Sequence, residues 1–482
     1  MQALRRSAVG IIAMLLGGCA AGPDFQRPAP PSTNHFTPGA QPSITAEAVG
    51  PGGAAQHFQE GAEVPAQWWT LFKCEALNRL VQDALAHSPT ITQARQRLLQ
   101  AQENLSAQTG ATRYPSVDAQ LGVTREKVDP AVFGIPNVSG VPPFTLYNAQ
   151  VSVSYSLDLF GANRRALEAL RAQTNYQSHE ASAAQLTLAA NVVSAAIRQA
   201  ALQAQIEISE RMLEAQIRQL EIAEARYKVG GLSLQELHNQ RSLLAQTKAT
   251  LPPLRMQRQQ IDYELAVYTG KAPAEASIPQ FRLEELQLPT ELPLTLPSVL
   301  VQRRPDVRAS EELWHQASAE VGVATANLFP QLNIAGNAGT ERTHGADLVD
   351  GINVWSIGAK LMQPIFHGGE LRALKRSAEA AYTAAAAAYE QTVLQALQQV
   401  ADSLRALEAD AQALQAQADA AQQAEDNYRI ALARYDSGGI SQIALLDAER
   451  QKLQSTLERS RAQANRDSDS VALLQSLGGG WK

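Results

Sequence analysis

Ala225-Arg226-Tyr227-Lys228-Val229-Gly230-Gly231 returns 208 residues later as Ala433-Arg434-Tyr435-Asp436-Ser437-Gly438-Gly439. Each copy closes a stretch rich in Ala, Gln, Leu, Glu and Arg, and a glycine pair suits the left-handed residue that ends a helix. No proline lies between Pro143 and Pro252, nor from Pro364 to the end. Residues 373–424 hold 20 alanines in 52 positions, a composition that means long helices. Each proline-free stretch is therefore read as a helical hairpin with a tight turn at its glycine pair. The first rising arm, Asn163 to Val229, has 67 residues, or roughly 100 Å at about 1.5 Å per residue. No globular core needs so long a helix, so the hairpins span something.

The repetition extends outward from the glycines. Ser88-Pro89 recurs as Arg304-Pro305, and Tyr114-Pro115 as Phe329-Pro330. Such consistent offsets mark an internal duplication. Ahead of each helical stretch lie short alternating segments. Val117, Ala119, Leu121 and Val123 share one parity, as do Val151, Val153, Tyr155, Leu157 and Leu159, and Trp355, Ile357, Ala359 and Leu361. Residues 331–341 alternate less cleanly because glycines dilute the pattern. Alternation over about ten residues fits a membrane β-strand and a half-buried soluble strand equally well. Four strands cannot close a barrel, which takes about eight. An open edge in lipid leaves backbone groups unpaired at several kcal/mol each. If these strands cross a membrane, several chains share one barrel.

The chain has 482 residues, 45% of them hydrophobic and 18% charged, so global disorder is excluded. No apolar run reaches the 18 residues of a spanning helix. The formal charge of −6 speaks against nucleic acid as a partner. Two cysteines make no disulfide framework. The eight histidines show no metal-ligand spacing, and no phosphate loop or catalytic constellation appears, so neither an enzyme nor a cofactor site is expected.

Arg5 and Arg6 precede a short apolar stretch that suits a secretory signal and runs into Leu16-Gly17-Gly18-Cys19. That tetrapeptide resembles a bacterial lipobox, which implies cleavage after residue 18 and a covalent lipid on Cys19. Residues 19–65, rich in Pro, Gly, Ala and Gln, read as a lipid-anchored tether or a strap over the folded body. Cys74 reads as buried or incidental. A first repeat is assigned to 66–269, a linker to 270–296, a second repeat to 297–476 and a tail to 477–482.

Together these features resemble the outer-membrane factor family, the TolC-like exit ducts, and its lipoprotein branch in particular. Cys19-Ala20-Ala21-Gly22-Pro23-Asp24-Phe25 is similar to that branch's mature start, and Trp68-Trp69 with Phe72 and Leu77 to its first box. Leu477-Gly478-Gly479-Gly480-Trp481 resembles its usual terminus, and Tyr435, Gly438 and Leu445-Leu446-Asp447-Ala448 its inner-tip segment. The resemblance implies a mainly α chain with a small β part. Three copies would form a 12-stranded outer-membrane β-barrel continued by a 12-helix periplasmic α-barrel, lipid-anchored in a Gram-negative outer membrane. It implies a passive duct whose partners are an inner-membrane efflux transporter and a periplasmic adaptor.

Three further expectations follow from the resemblance. Gly230, Gly231, Leu232, Gly438, Gly439 and Ser441 would face the adaptor. Asp447 would line a periplasmic aperture, where three symmetric carboxylates favour cations. Tyr435 matches a family tyrosine that ties neighbouring helices, with Glu236 as its acceptor. Ile440 and Ala444 stand where members carry arginine and aspartate, which implies a weaker lock. Lys73-Cys74-Glu75 stands in place of a Gly-Asp-Pro-like turn. Alternatives are a duct for type I protein secretion, a periplasmic coiled-coil scaffold, and an independent porin.

Overall fold

The computed structural model describes residues 21–39, 43–127, 142–343 and 352–479. Its helices are α1 (Glu75–His87), α2 (Pro89–Arg113), α3 (Ala162–Lys228), α4 (Leu234–Tyr268), α5 (Pro297–Arg303), α6 (Pro305–Ala326), α7 (Glu370–Asp436) and α8 (Gln442–Ser476). Its strands are β1 (His57–Glu60), β2 (Ser116–Glu126), β3 (Phe144–Leu157), β4 (Glu291–Leu294), β5 (Gln331–Arg342) and β6 (Ile352–Met362). The duplication is exact in length for the two long hairpins. Both α3 and α7 have 67 residues and both α4 and α8 have 35, each pair starting 208 positions apart.

The chain forms two compact units, and each draws segments from both repeats. The first unit comprises Met1–Pro28, Arg97–Gln177 and Ser310–Tyr389. It holds a four-stranded antiparallel sheet in the order β2-β3-β5-β6. Pairing places Val117 opposite Val153, Val153 opposite Gly336, and Leu332 opposite Leu361. Val117, Leu121, Val123, Trp355 and Ile357 are all exposed, with Leu121 81% accessible. A sheet whose apolar face is bare has the composition expected against lipid. The glycines that weaken the 331–341 pattern do not prevent β5, because β3 and β6 pair with it along both edges.

The second unit comprises Ala29–Gln96, Ser178–Ala309 and Glu390–Lys482. Trp68, Trp69 and Phe72, on a short 3-10 turn, are buried with Leu77 and Val81 of α1. They join Val192, Val193 and Ile197 of α3, Val471 and Leu474 of α8, and Phe281 and Leu292 of the linker in one apolar cluster. Alanines 189, 190, 195, 196 and 200 of α3 are also buried there, and their small side chains admit close neighbours. Burying each large apolar side chain contributes roughly 1.5–3 kcal/mol. Cys74 is a free, buried thiol in this cluster.

Two features depart from the sequence reading. The aperiodic segment before residue 65 contains β1, which pairs in parallel with β4 of the linker. Four residues with no alternation become a strand because a distant segment supplies the hydrogen bonds. Pro252 and Pro253, which mark the end of a proline-free stretch, lie inside α4. A proline removes one helical hydrogen bond and crowds the preceding turn. Buried Leu244 and Leu251 before the pair, and Ile261 and Leu265 after it, hold the helix through the defect. No helix among the described residues is long and apolar enough to cross a membrane.

Candidate functional site: two hairpin tips and the helix pairs behind them

Each hairpin turns through the same hydrogen-bonded cap. Gly230 N donates to Tyr227 O and Gly231 N to Arg226 O, at 3.0 and 2.8 Å. Gly438 N donates to Tyr435 O and Gly439 N to Arg434 O, at 2.9 and 2.7 Å. These are the two bonds of a Schellman cap, and Gly230 (φ +75°) and Gly438 (φ +76°) occupy its left-handed position. The recurring Ala-Arg-Tyr…Gly-Gly pattern thus encodes a turn. Leu232 is half-buried and Ser441 is exposed.

The helix starts beyond the tips differ by one residue. Ser233 caps α4, its hydroxyl oxygen accepting from Glu236 N, while the Glu236 carboxylate accepts from Ser233 N at 3.0 Å and from the Ser233 hydroxyl at 2.7 Å. The backbone bond from Ser233, then the hydroxyl bond, holds the Glu236 carboxyl below its usual range. Ser441 caps α8 by accepting from Ala444 N, but Ala444, the counterpart of Glu236, returns no bond. The expected link from Tyr435 to Glu236 is not made within the single chain, where the capping-box bonds from Ser233 both end on Glu236 Oε2. Tyr435 is half-buried and contributes its backbone carbonyl to the glycine turn.

Asp447 is exposed, and its Oδ1 accepts from Gln219 Nε2 of α3 at 3.2 Å. Next to it, Arg218 donates to both oxygens of Glu449 at 3.1 and 3.2 Å. Adjacent residues of α3 therefore hold alternate acids of α8. Lys452 of α8 reaches Glu425 of α7 at 2.7 Å and sits 4.6 Å from the Tyr428 ring centroid. Gln219, Arg218 and Glu449 escaped the sequence reading because their partners lie more than 220 residues away in the chain.

Cys19 lies outside the described residues, but the segment after it has a built seat in the first unit. Ala21 N donates to Phe160 O at 3.0 Å. Arg165, with its side chain nearly buried, donates to Ala21 O, to Gly22 O, to Asp24 Oδ1 at 2.6 Å and to Glu168 Oε2 at 2.7 Å. Phe25 stacks on His315 at 4.6 Å and meets Trp314 edge-on at 5.4 Å. Gly22 has φ +91°, and a Cβ there would come within 2.4 Å of Gly322 Cα, so only glycine fits. The hydrogen bond to Glu312 raises the His315 pKa against the opposing effect of burial, with further help from Glu168. Of the two readings of this segment, tether and strap, the strap describes residues 21–28.

A bare-faced antiparallel sheet, duplicated long hairpins and capped tips together define a subunit of an outer-membrane export channel. Residues 80–271 and 296–479 match the outer membrane efflux protein family, and the chain belongs to that family. It is 30% identical to the toluene efflux pump outer membrane protein TtgC of Pseudomonas putida, covering 98% of this chain and 95% of that one. Against the pyoverdine export outer membrane protein OpmQ of Pseudomonas aeruginosa it is 29% identical, over 86% and 88%. Among solved structures, the outer-membrane channel OprN superposes with a TM-score of 0.81 at 27% identity, covering 96% of this chain and all of that one. The chain is accordingly an outer-membrane channel protein of an efflux system, with a large periplasmic helical part.

Proposed function

We propose that three copies of this chain close one barrel and one helical tunnel, forming the exit duct of a tripartite pump. The observation that carries this reading is the sheet itself, which ends in two unpaired edges, β2 and β6, beneath an exposed apolar face. Backbone groups on those edges need partners in lipid, and a second copy supplies them. Three copies give the twelve strands that the family resemblance implies. The duct performs no catalytic step, and energy comes from an inner-membrane transporter coupled through a periplasmic adaptor. The related proteins named above export pyoverdine and toluene, which favours small-molecule efflux over protein secretion and leaves the choice of cargo to the pump.

Within this reading Cys19 carries lipid, the two tips meet the adaptor, and Asp447 lines the aperture. The seat for Ala21 beside Phe160, three residues beyond the end of β3, supports lipid attachment near the strand ends. Reconstitution in planar bilayers tests the duct: discrete conductance from a trimer is expected, and a protein that forms no channel is a scaffold instead. Cys19→Ser should abolish acyl labelling and leave a precursor retaining residues 1–18. Photo-crosslinkers at Leu232 or Ser441 should capture the adaptor, whereas capture only at Thr343 reverses the assigned orientation.

A further inference from the structure

The helices of the second unit form a chain of neighbours with two free ends. Arg198, Arg255 and Arg241 link α4 and α3 through Glu264, Glu210 and Glu224. Arg218–Glu449 and Gln219–Asp447 link α3 to α8, and Lys452–Glu425 links α8 to α7. Among the described residues no hydrogen bond or ion pair joins α4 to α7. The order is therefore α4-α3-α8-α7, and the ends come from different repeats. The α3–α8 seam joins the rising arm of the first repeat to the returning arm of the second. Its missing counterpart joins the rising arm of the second, α7, to the returning arm of the first, α4.

Because equivalent helices start 208 positions apart, the missing seam can be written from the one present. Arg218 maps to Asp426 and Glu449 maps to Arg241, so a cation facing an acid becomes an acid facing a cation. Gln219 and Asp447 map to Asn427 and Asn239, two amides that can still exchange a hydrogen bond. The small apolar contact of Ile208 with Leu453 and Leu457 maps to Ala416, Ala245 and Ala249. All three alanines are exposed in the single chain, whereas their counterparts are buried. One contact does not carry over, since Gln205–Arg461 maps to Ala413 and Pro253. Complementarity is thus kept in the third of the helices nearest the tips.

We propose that the seam between neighbouring copies of this chain repeats the α3–α8 seam with its charges exchanged, Arg241 of one copy pairing with Asp426 of the next. The proposal rests on the trimer reading above. Both groups are half-exposed and can accept this partner while keeping their present ones, Glu224 for Arg241 and Arg429 for Asp426. The analogous mapping on the sheet of the first unit shifts β3 onto β6 by 208 positions and β5 onto β2 by 215, the offset of Phe329-Pro330 from Tyr114-Pro115. Val153 opposite Gly336 and Val151 opposite Ala338 then set Leu361 opposite Leu121 of the next copy and Ala359 opposite Val123. Those positions share the exposed apolar face, and a slip of one residue would turn one strand over.

Ion-pair partners stand farther apart than a disulfide tolerates, so the test uses a short bismaleimide. Arg241→Cys and Asp426→Cys are combined in a Cys74→Ser background, in outer membranes, with Cys19 left in place. The double variant should give a covalent ladder ending at the trimer on denaturing gels, and neither single variant should give more than monomer. Glutaraldehyde applied in parallel separates the two claims. Trimers with glutaraldehyde but none with the bismaleimide overturn this seam and leave the trimer standing; no oligomer with either overturns both. Charge exchange provides a second measurement: Arg241→Glu and Asp426→Arg should each lower the temperature at which native trimers dissociate, and their combination should restore it. A double variant no better than the worse single one overturns the pairing.

Discussion

The buried amide of Gln219 donates to the exposed carboxylate of Asp447 across 3.2 Å. The first acid of α8 beyond the second tip is thus oriented by a neighbouring helix. Asp447→Ala should reduce cation preference and weaken block by multivalent cations in single-channel recordings. Gln219→Leu should keep the charge and loosen its aim, at a stability cost of about 0.5–1.5 kcal/mol for the lost bond. Selectivity and block unchanged in Asp447→Ala would place that residue off the aperture.

Arg466, fully buried on α8, donates to Gln56 Oε1, Gly52 O, Thr45 Oγ1 and Ala54 O at 2.8–3.2 Å. Hydrogen bonds to a charged group contribute roughly 1.5–3 kcal/mol each, and a guanidinium fork cannot be matched by an ammonium. Arg466→Ala should lower stability by about 3 kcal/mol and release residues 45–56 to protease, with Arg466→Lys recovering only part. Cleavage rates in that segment equal to wild type would show that β1 pairing alone holds it.

Lys73 has φ +49°, the only left-handed non-glycine among the described residues, and it ends the turn that carries Trp68 and Trp69. An L side chain in that conformation costs roughly 1–2 kcal/mol, part of which glycine returns as unfolded-state entropy. Lys73→Gly should stabilise the fold by about 0.5–1 kcal/mol, read as a higher denaturant midpoint. Lys73→Val should do the opposite, because a β-branched side chain is less tolerated there.

His315 carries Phe25 on its ring face, with Glu312 and Glu168 on its nitrogens and Arg165 bonded to Glu168. Its pKa is raised in the folded chain, so its contribution is full below about pH 6.5 and is lost as pH rises through the raised value. Hydrogen exchange of residues 21–27 should therefore quicken above neutral pH beyond the intrinsic chemical trend. His315→Gln should remove that step. A step of equal size in the variant would assign it to another group.

Much of the architecture was legible because it is repetitive or local. Proline-free stretches forced long helices, and parity placed β2 and β6 within a few residues of their observed bounds and caught the second half of β3, which begins at Phe144. The Gly230 and Gly438 turns were readable because a Schellman cap needs a left-handed residue at a fixed place. What involved two distant segments was not readable. His57–Glu60 has no strand pattern and exists as a strand because Glu291–Leu294 lies beside it. Glu236 is assigned as an acceptor for Tyr435 from family position alone; within one chain its Oε2 takes the hydroxyl and amide of Ser233, three residues away.

By itself, then, the sequence determined the length of the first rising arm, the turns and the duplication with its offset of 208, since these depend on composition and backbone conformation within a few residues. Only the tertiary structure decided that α8 lies against α3, that Arg218 and Gln219 hold Glu449 and Asp447, and that Arg165 and Arg466 grip the N-terminal strap. Side chains that meet across more than 200 residues leave no periodic trace, because each is an ordinary polar residue on its own helix. Their pairing is fixed by which faces the packed helices turn toward one another.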